Sequence, residues 1–290
     1  MVFSEPVFMF LFLPVVLLIY YAVPFRFKNA VLFLTGLLFY SWGEPVYVLI
    51  MILSTLIDYL AGRVMDRFDD NKKIRKIALI VSVVMNLSLL GVFKYSGFFV
   101  ENINAVTGLA LPVPEFALPI GISFYTFQTL SYTIDVYKGN VEPQHNYMKF
   151  FMYVSLYTQL VAGPIVRYSD VAIEVNNRQE NLEDIWSGTA RFLVGLTKKV
   201  FIANTAGQFA ETYLSGDLTA RSTAAVWFGV LMFSIQIYCD FSGYSDMAIG
   251  CAKCLGYDLN RNFNLPYISR NVSEFWKRWH ISLSTWLMEY

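Results

Sequence analysis

Only two histidines occur in this 290-residue chain. One of them, His280, lies in an aromatic-rich stretch, Asn264-Leu-Pro-Tyr-Ile-Ser-Arg-Asn-Val-Ser-Glu-Phe-Trp-Lys-Arg-Trp-His-Ile-Ser-Leu-Ser-Thr-Trp286. An imidazole exchanges a proton near neutral pH, so on an apolar face it is either a satisfied structural group or one that handles protons. The other, His145, sits in the polar run Glu142-Pro-Gln-His-Asn146 and reads as solvated.

A second group of candidates is Cys239-Asp-Phe-Ser-Gly-Tyr-Ser-Asp-Met-Ala-Ile-Gly250. Asp240, Ser242, Tyr244 and Asp246 fall within seven residues of an otherwise apolar run. A carboxylate there needs an Arg or Lys partner, or it stays protonated. The two aspartates are six apart and do not share a helix face, and Gly243 is expected to turn the chain between them. A buried hydrogen-bond network and the wall of a substrate cavity are both open readings. A third candidate is Gln159-Leu-Val-Ala-Gly-Pro-Ile-Val-Arg167, where Gly163-Pro164 is expected to interrupt a helix. Such a break is either a kink or a cavity lining flanked by Gln159 and Arg167. The small and aromatic residues from Leu118 to Gln128 fit close helix packing or a pocket. Cys251-Ala-Lys-Cys254 has no second ligand pair, so packing is favoured and no metal site is expected.

These groups must be positioned by membrane helices. Hydrophobic residues make up 56% of the chain and charged residues 15%, against about 25% charged in soluble domains. Mean hydropathy is +0.46. A formal net charge of zero offers no field for nucleic acid. Apolar runs at 7–23, 30–42, 46–62 and 78–98 read as lipid-facing spans. The first reads as uncleaved, because Glu5 replaces a basic leader. The run 30–42 is short for a span and suggests tilt or a re-entrant half. Residues 63–76 carry six basic and three acidic residues, and 99–116 carry Glu101 and Glu115 without Lys or Arg. The bias places 24–29 and 63–76 inside and the N-terminus outside. Candidate spans 117–134, 148–166, 189–209 and 224–250 are more polar and read as the lining of a cavity. The loop 167–188 reads as solvated. Asn271 and Glu274 form a capping box, after which Trp276, His280, Leu283 and Leu287 recur at helical spacing. One continuous amphipathic helix at the membrane surface is expected there. The spans follow one another without a soluble interlude, so one domain over 1–290 is expected.

The sequence resembles the membrane-bound O-acyltransferase family, on its bacterial alginate O-acetyltransferase branch. The resemblance rests on Val2 to Pro14, Leu118-Pro-Ile-Gly-Ile-Ser-Phe-Tyr125, Ala162-Gly-Pro164, Asp240 to Gly250, Asn264-Leu-Pro-Tyr267 and Glu274 to Trp286. It implies an all-α fold, a ring of transmembrane helices around a thinned centre with a funnel from each face. It implies acyl transfer from a thioester, acetyl-CoA or another, with no bound cofactor. An acetyl group would cross a bacterial plasma membrane to an extracellular polysaccharide or cell-wall polymer, through an external partner protein. His280 matches one active-site position of the family; the other, a His in a Trp-His-Gly motif, is not reached by Tyr290. The chain ends without a helix stop signal, so it is expected to be the N-terminal part of a longer protein, inactive alone and short of roughly the last third or more. Asp240, Ser242, Tyr244 and Asp246 would shape the cavity. D-alanyl transfer to teichoic acid and a non-enzymatic permease or scaffold are the competing readings, the last because buried carboxylates and broken helices also suit transport.

Overall fold

A computed structural model describes residues 1–114, 116–160 and 163–290. Glu115 of the expected outer loop, and Val161 and Ala162 of the Gln159–Arg167 motif, lie outside the described residues. Among the described residues all regular structure is helical, with no strand. A π-helical turn (Phe8–Phe12) leads into α1 (Leu13–Ala22), near Pro14, which cannot donate to a regular ladder. Then come α2 (Phe25–Gly43), α3 (Val48–Arg67), α4 (Lys72–Thr107), α5 (Ile122–Lys138), α6 (Tyr147–Ser155), α7 (Tyr168–Asn177) and α8 (Leu182–Thr197). A π-helical segment (Lys198–Ala203) joins α8 to α9 (Asn204–Leu214), followed by α10 (Thr223–Cys254), α11 (Val272–Trp276) and α12 (Ile281–Glu289).

The helices α3, α4 and α10, with 20, 36 and 32 residues, are long and apolar enough to cross a membrane. At 1.5 Å per residue they reach about 30, 54 and 48 Å, against a hydrocarbon core of about 30 Å. α4 keeps Val81, Val84, Phe98 and Phe99 exposed, as a lipid-facing helix would. The short apolar run 30–42 is part of a 19-residue helix, because Pro24 starts the helix at Phe25. The ammonium of Lys28 is accommodated 4.6 Å over the Tyr20 ring.

The chain divides into two compact units. One comprises Tyr20–Val161, Arg167–Val175 and Tyr290. Here α3, α4 and α5 pack together, and α2 packs on α6. Asp58 of α3 is fully buried between them. Its carboxylate accepts from the Ser82 hydroxyl, from Thr133 Oγ1 at 3.1 Å, and from Asn86 Nδ2 at 2.9 and 3.0 Å. The expected span 148–166 is helical only to Ser155. Leu156 to Leu160 are buried but irregular. The helix therefore ends well before Gly163-Pro164, which does not interrupt it. Pro119 and Gly121 precede α5. Gly121 has φ +76° and leaves no room for a Cβ, which would fall 2.4 Å from the Leu160 carbonyl oxygen.

The other unit comprises Met1–Ile19, Ala162–Val166 and Asn176–Glu289. Its spine is α10, against which α8, the π segment and α9 pack. Two glycine pairs set this packing. A Cβ on Gly188 would lie 2.7 Å from the Gly250 oxygen, and one on Gly195 would lie 2.5 Å from the Gly243 oxygen. Each pair member is seven residues from the next on its own helix, in opposite directions, so α8 and α10 run antiparallel with backbones in contact. Gly243 thus serves close approach within a continuous helix, and does not turn the chain.

Candidate functional site

His280 is where the sequence expectation and the backbone part company. Asn271 does cap a helix, its side chain accepting from the Glu274 amide at 2.8 Å. The Glu274 carboxylate reaches back to the Arg270 amide at 3.0 Å and also takes Arg278, which together hold its carboxyl below the usual range. The helix nevertheless stops at Trp276. Residues 277–280 form a turn, and His280 adopts φ +45° before α12 starts at Ile281. One continuous helix is therefore replaced by two short ones. The expected apolar stripe does not hold together either: Trp276 is 50% and Leu287 65% exposed, while His280 is 8% exposed.

A short segment from the end of α10 holds the break in place. The Ile281 amide donates to the Asn262 carbonyl and the Asn264 amide to the Arg278 carbonyl, both at 2.9 Å. These bonds bring the Asn262 side chain against His280. Asn262 Oδ1 lies 3.2 Å from His280 Nδ1 and accepts from the Ser282 amide at 3.1 Å and the Ser282 hydroxyl at 2.9 Å. The Ser282 hydroxyl accepts in turn from the Ile165 amide at 2.9 Å. Asn262 is 1% exposed, and its Nδ2 has no hydrogen-bond partner among the described residues.

Aromatic rings complete the surroundings. Phe241 of α10 meets the imidazole edge-on at 4.8 Å, and Phe263 lies nearly parallel to it at 6.4 Å. Trp279 packs on Phe263 and Phe275 at 5.1 and 5.5 Å. Burial in this apolar box pushes the imidazole down to about 4. At neutral pH His280 is therefore uncharged, and one ring nitrogen keeps a lone pair.

The other candidates sit apart from the imidazole. Asp246 pairs with Arg191 at 3.1 Å and Lys198 at 2.6 Å, and Asp240 pairs with Lys199 at 2.6 Å. Both carboxylates thus face the α8 and π-segment side, each paired with a cation while partly exposed. No hydrogen bond or ion pair joins either to His280 among the described residues. Ser242 is 1% exposed with no partner for its hydroxyl among the described residues, and the same holds for the Tyr244 hydroxyl, whose ring stacks on Phe3 at 4.6 Å. Gln159 and Arg167 belong to the other unit. Gln159 donates to the Tyr153 carbonyl, while its Oε1 is buried without a partner among the described residues. Arg167 engages Asp170 with its backbone amide, Nε and Nη2 at 3.1, 3.1 and 2.8 Å, clamping the start of α7. The cysteines at 239, 251 and 254 are buried and form no disulfide among the described residues, and the Cys254 thiol donates to the Ile185 carbonyl at 3.6 Å.

Asn262 and Ser282 escaped the sequence reading. Ser282, two residues past His280, was within reach of a local search. Asn262 lies 18 residues upstream in Asp258-Leu-Asn-Arg-Asn262 and carries no spacing that links it to a histidine.

Comparison with known proteins narrows what such a site does. Residues 139–290 match the model of the membrane-bound O-acyltransferase family. Over 294 residues the chain is 41% identical to the probable alginate O-acetylase of Pseudomonas aeruginosa, covering all of this chain and 56% of the relative. It is 34% identical over 322 residues to the peptidoglycan O-acetyltransferase of Helicobacter pylori, covering all of this chain and 61% of the relative. Similarity to the teichoic acid D-alanyltransferase of Bacillus subtilis is 27% over 177 residues, covering 59% of this chain and 44% of the relative. The chain spans a little over half the length of the O-acetylating relatives.

Proposed function

The chain belongs to the membrane-bound O-acyltransferase family, and from that premise we propose that the protein it forms part of transfers acetyl groups from a cytoplasmic thioester to hydroxyls of an extracellular polysaccharide or cell-wall polymer. The observation that carries the acetyl reading is the identity to O-acetylating relatives along the whole chain, 41% and 34%. The D-alanyl relative reaches 27% over 59% of it. The setting is a bacterial plasma membrane crossed several times, with acetyl-CoA the simplest donor and an external protein receiving the acetyl group.

In the transfer, the acceptor oxygen attacks the thioester carbonyl, the carbon–sulfur bond breaks, and the hydroxyl proton ends on the departing thiolate. His280 belongs to this machinery. Its buried, neutral imidazole holds or orients the attacking hydroxyl through the nitrogen that carries the lone pair, while a second histidine in a Trp-His-Gly motif of the complete protein acts as general base. Asp240, Ser242, Tyr244 and Asp246 are the candidates for lining a substrate path within their own unit, and Gln159 and Arg167 are candidates for such a lining within theirs. The test is His280→Ala in the complete protein. Polymer acetylation should collapse at unchanged membrane abundance; wild-type acetylation would remove His280 from the reaction. Labelled acetyl thioester separates transferase from permease, since a permease leaves it intact.

A further inference from the structure

We propose that Asn262 is a positioning residue for the reaction: it fixes His280 as the Nδ1–H tautomer and so leaves Nε2 as the nitrogen that meets substrate. The inference rests on the reading of His280 given above and on hydrogen-bond directions. A backbone amide can only donate. The Ser282 amide points at the Asn262 side chain at 3.1 Å, so the atom there is the oxygen and the amide group cannot be flipped. The same oxygen lies 3.2 Å from His280 Nδ1. An oxygen of this kind only accepts, so Nδ1 must carry the proton and Nε2 the lone pair.

Ser282 is consistent with this assignment. Its hydroxyl gives its one proton to Asn262 and takes the Ile165 amide on a lone pair, so at 3.4 Å it is only a second acceptor for Nδ1–H. The alternative tautomer would set two lone pairs against each other at 3.2 Å in a buried place.

A neutral orienting group also suits an imidazole that works uncharged. A carboxylate in place of Asn262 would favour imidazolium, whereas the amide leaves the ring neutral. Among the described residues no charged group is hydrogen-bonded or ion-paired to the ring. On α10, Asp240 and Asp246 are taken by lysines and Arg191. On the neighbouring segment Asp258 and Arg261 are exposed, and beside His280 itself Lys277 is exposed and Arg278 is paired with Glu274.

The unpaired Nδ2 makes a diagnostic variant available. Asn262→Asp keeps the oxygen that accepts from Ser282 and His280 and removes a donor that has no partner among the described residues. It should fold where Asn262→Ala leaves the Ser282 amide without an acceptor and Nδ1–H with only the Ser282 hydroxyl at 3.4 Å. The experiment is ring-15N magic-angle-spinning NMR of the complete protein in membranes, with His280→Ala subtracted to isolate the His280 signals, alongside steady-state transfer from acetyl-CoA. The wild type should show the Nδ1–H tautomer. Asn262→Ala should show a tautomer mixture and lower kcat about 10- to 100-fold with KM for the thioester unchanged, by analogy with metal-bound histidines that lose their hydrogen-bond partner. Asn262→Asp should restore the single tautomer, with proton uptake moved to higher pH. An Nε2–H tautomer in the wild type, or an unchanged tautomer in Asn262→Ala, would overturn the inference. Full transfer by His280→Ala would instead overturn the reading of the site, whatever tautomer is seen.

Discussion

His280 and Asp58 are both titratable groups buried among neutral partners, one in each unit, and they differ in how completely they are satisfied. Asp58 has acceptor capacity on two oxygens and meets donors from Ser82, Asn86 and Thr133, with no exposed surface. Among the described residues His280 has a hydrogen-bond partner for Nδ1 only; it keeps 8% of its surface open and sits at a left-handed backbone angle. A closed network holds helices together. One with a free lone pair and a left-handed backbone angle adds less to that holding, which fits a group proposed to act on substrate.

The largest expected effect tests the open side of that contrast. His280→Ala in the complete protein should lower acyl transfer about 10²- to 10⁴-fold, the usual range for a proton-handling side chain. Its resistance to heat should fall by less than its activity, since the ring has one hydrogen-bonded nitrogen among the described residues, although alanine fits φ +45° no better than histidine. A variant that lost stability in proportion to activity would erase the distinction between the two sites.

Asp58→Ala should do the reverse. It takes the shared acceptor from the Ser82 and Thr133 hydroxyls and the Asn86 amide, which then fall back on Thr133 Oγ1, the Thr129 carbonyl and the Ser82 carbonyl at 3.3, 3.1 and 3.0 Å, so a loss of ~1–3 kcal/mol is expected. Thermal inactivation of the detergent-extracted protein should move to lower temperature, with the activity of the surviving fraction unchanged. Lost catalysis at full stability would mean that Asp58 is more than a fastener.

How legible each site was follows from the same contrast. His280 was visible because a histidine in a Trp-rich stretch is uncommon and the surrounding residues resemble a known family. Asp58 was passed over inside the run 46–62, which reads as lipid-facing wall. Its partners are 24 to 75 residues away, and nothing local announces them. A signal did exist, since a carboxylate in an apolar helix demands partners and Ser82 and Asn86 are one turn apart on the next helix. Asp240 and Asp246 met that demand as the sequence argument required, with Lys199, Lys198 and Arg191. The break at His280 was invisible because periodicity records side-chain faces, and one left-handed residue changes the path without changing the count. The extent of α6 was misjudged for a related reason: Leu156 to Leu160 are apolar and buried, and apolarity alone does not distinguish a helix from a buried irregular segment.

Acid sharpens the comparison at an intermediate scale. His280 titrates near 4 when folded, against about 6.5 unfolded, so between those values the unfolded chain binds more protons. Stability from this group is complete above pH 6.5 and is lost as pH falls toward 4, by up to ~3 kcal/mol. Unfolding midpoints across pH 4–7 should show the slope in the wild type and lose that component in His280→Asn, which has no proton to take up in this window. An identical slope in both would place the acid sensitivity elsewhere.

The smallest effect separates scaffold from positioning within the open site. Ser282→Ala removes the acceptor of the buried Ile165 amide and one of three donors to Asn262 Oδ1. The stranded amide should cost ~1–2 kcal/mol. The Ser282 backbone amide still holds Asn262 in orientation, and Nδ1–H still has its acceptor at 3.2 Å. Transfer should therefore fall only a few-fold while stability drops measurably, a pattern nearer to Asp58 than to His280. If Ser282→Ala instead silenced transfer at full stability, the hydroxyl itself would be touching substrate, and the boundary between fastener and site would have to be redrawn to include it.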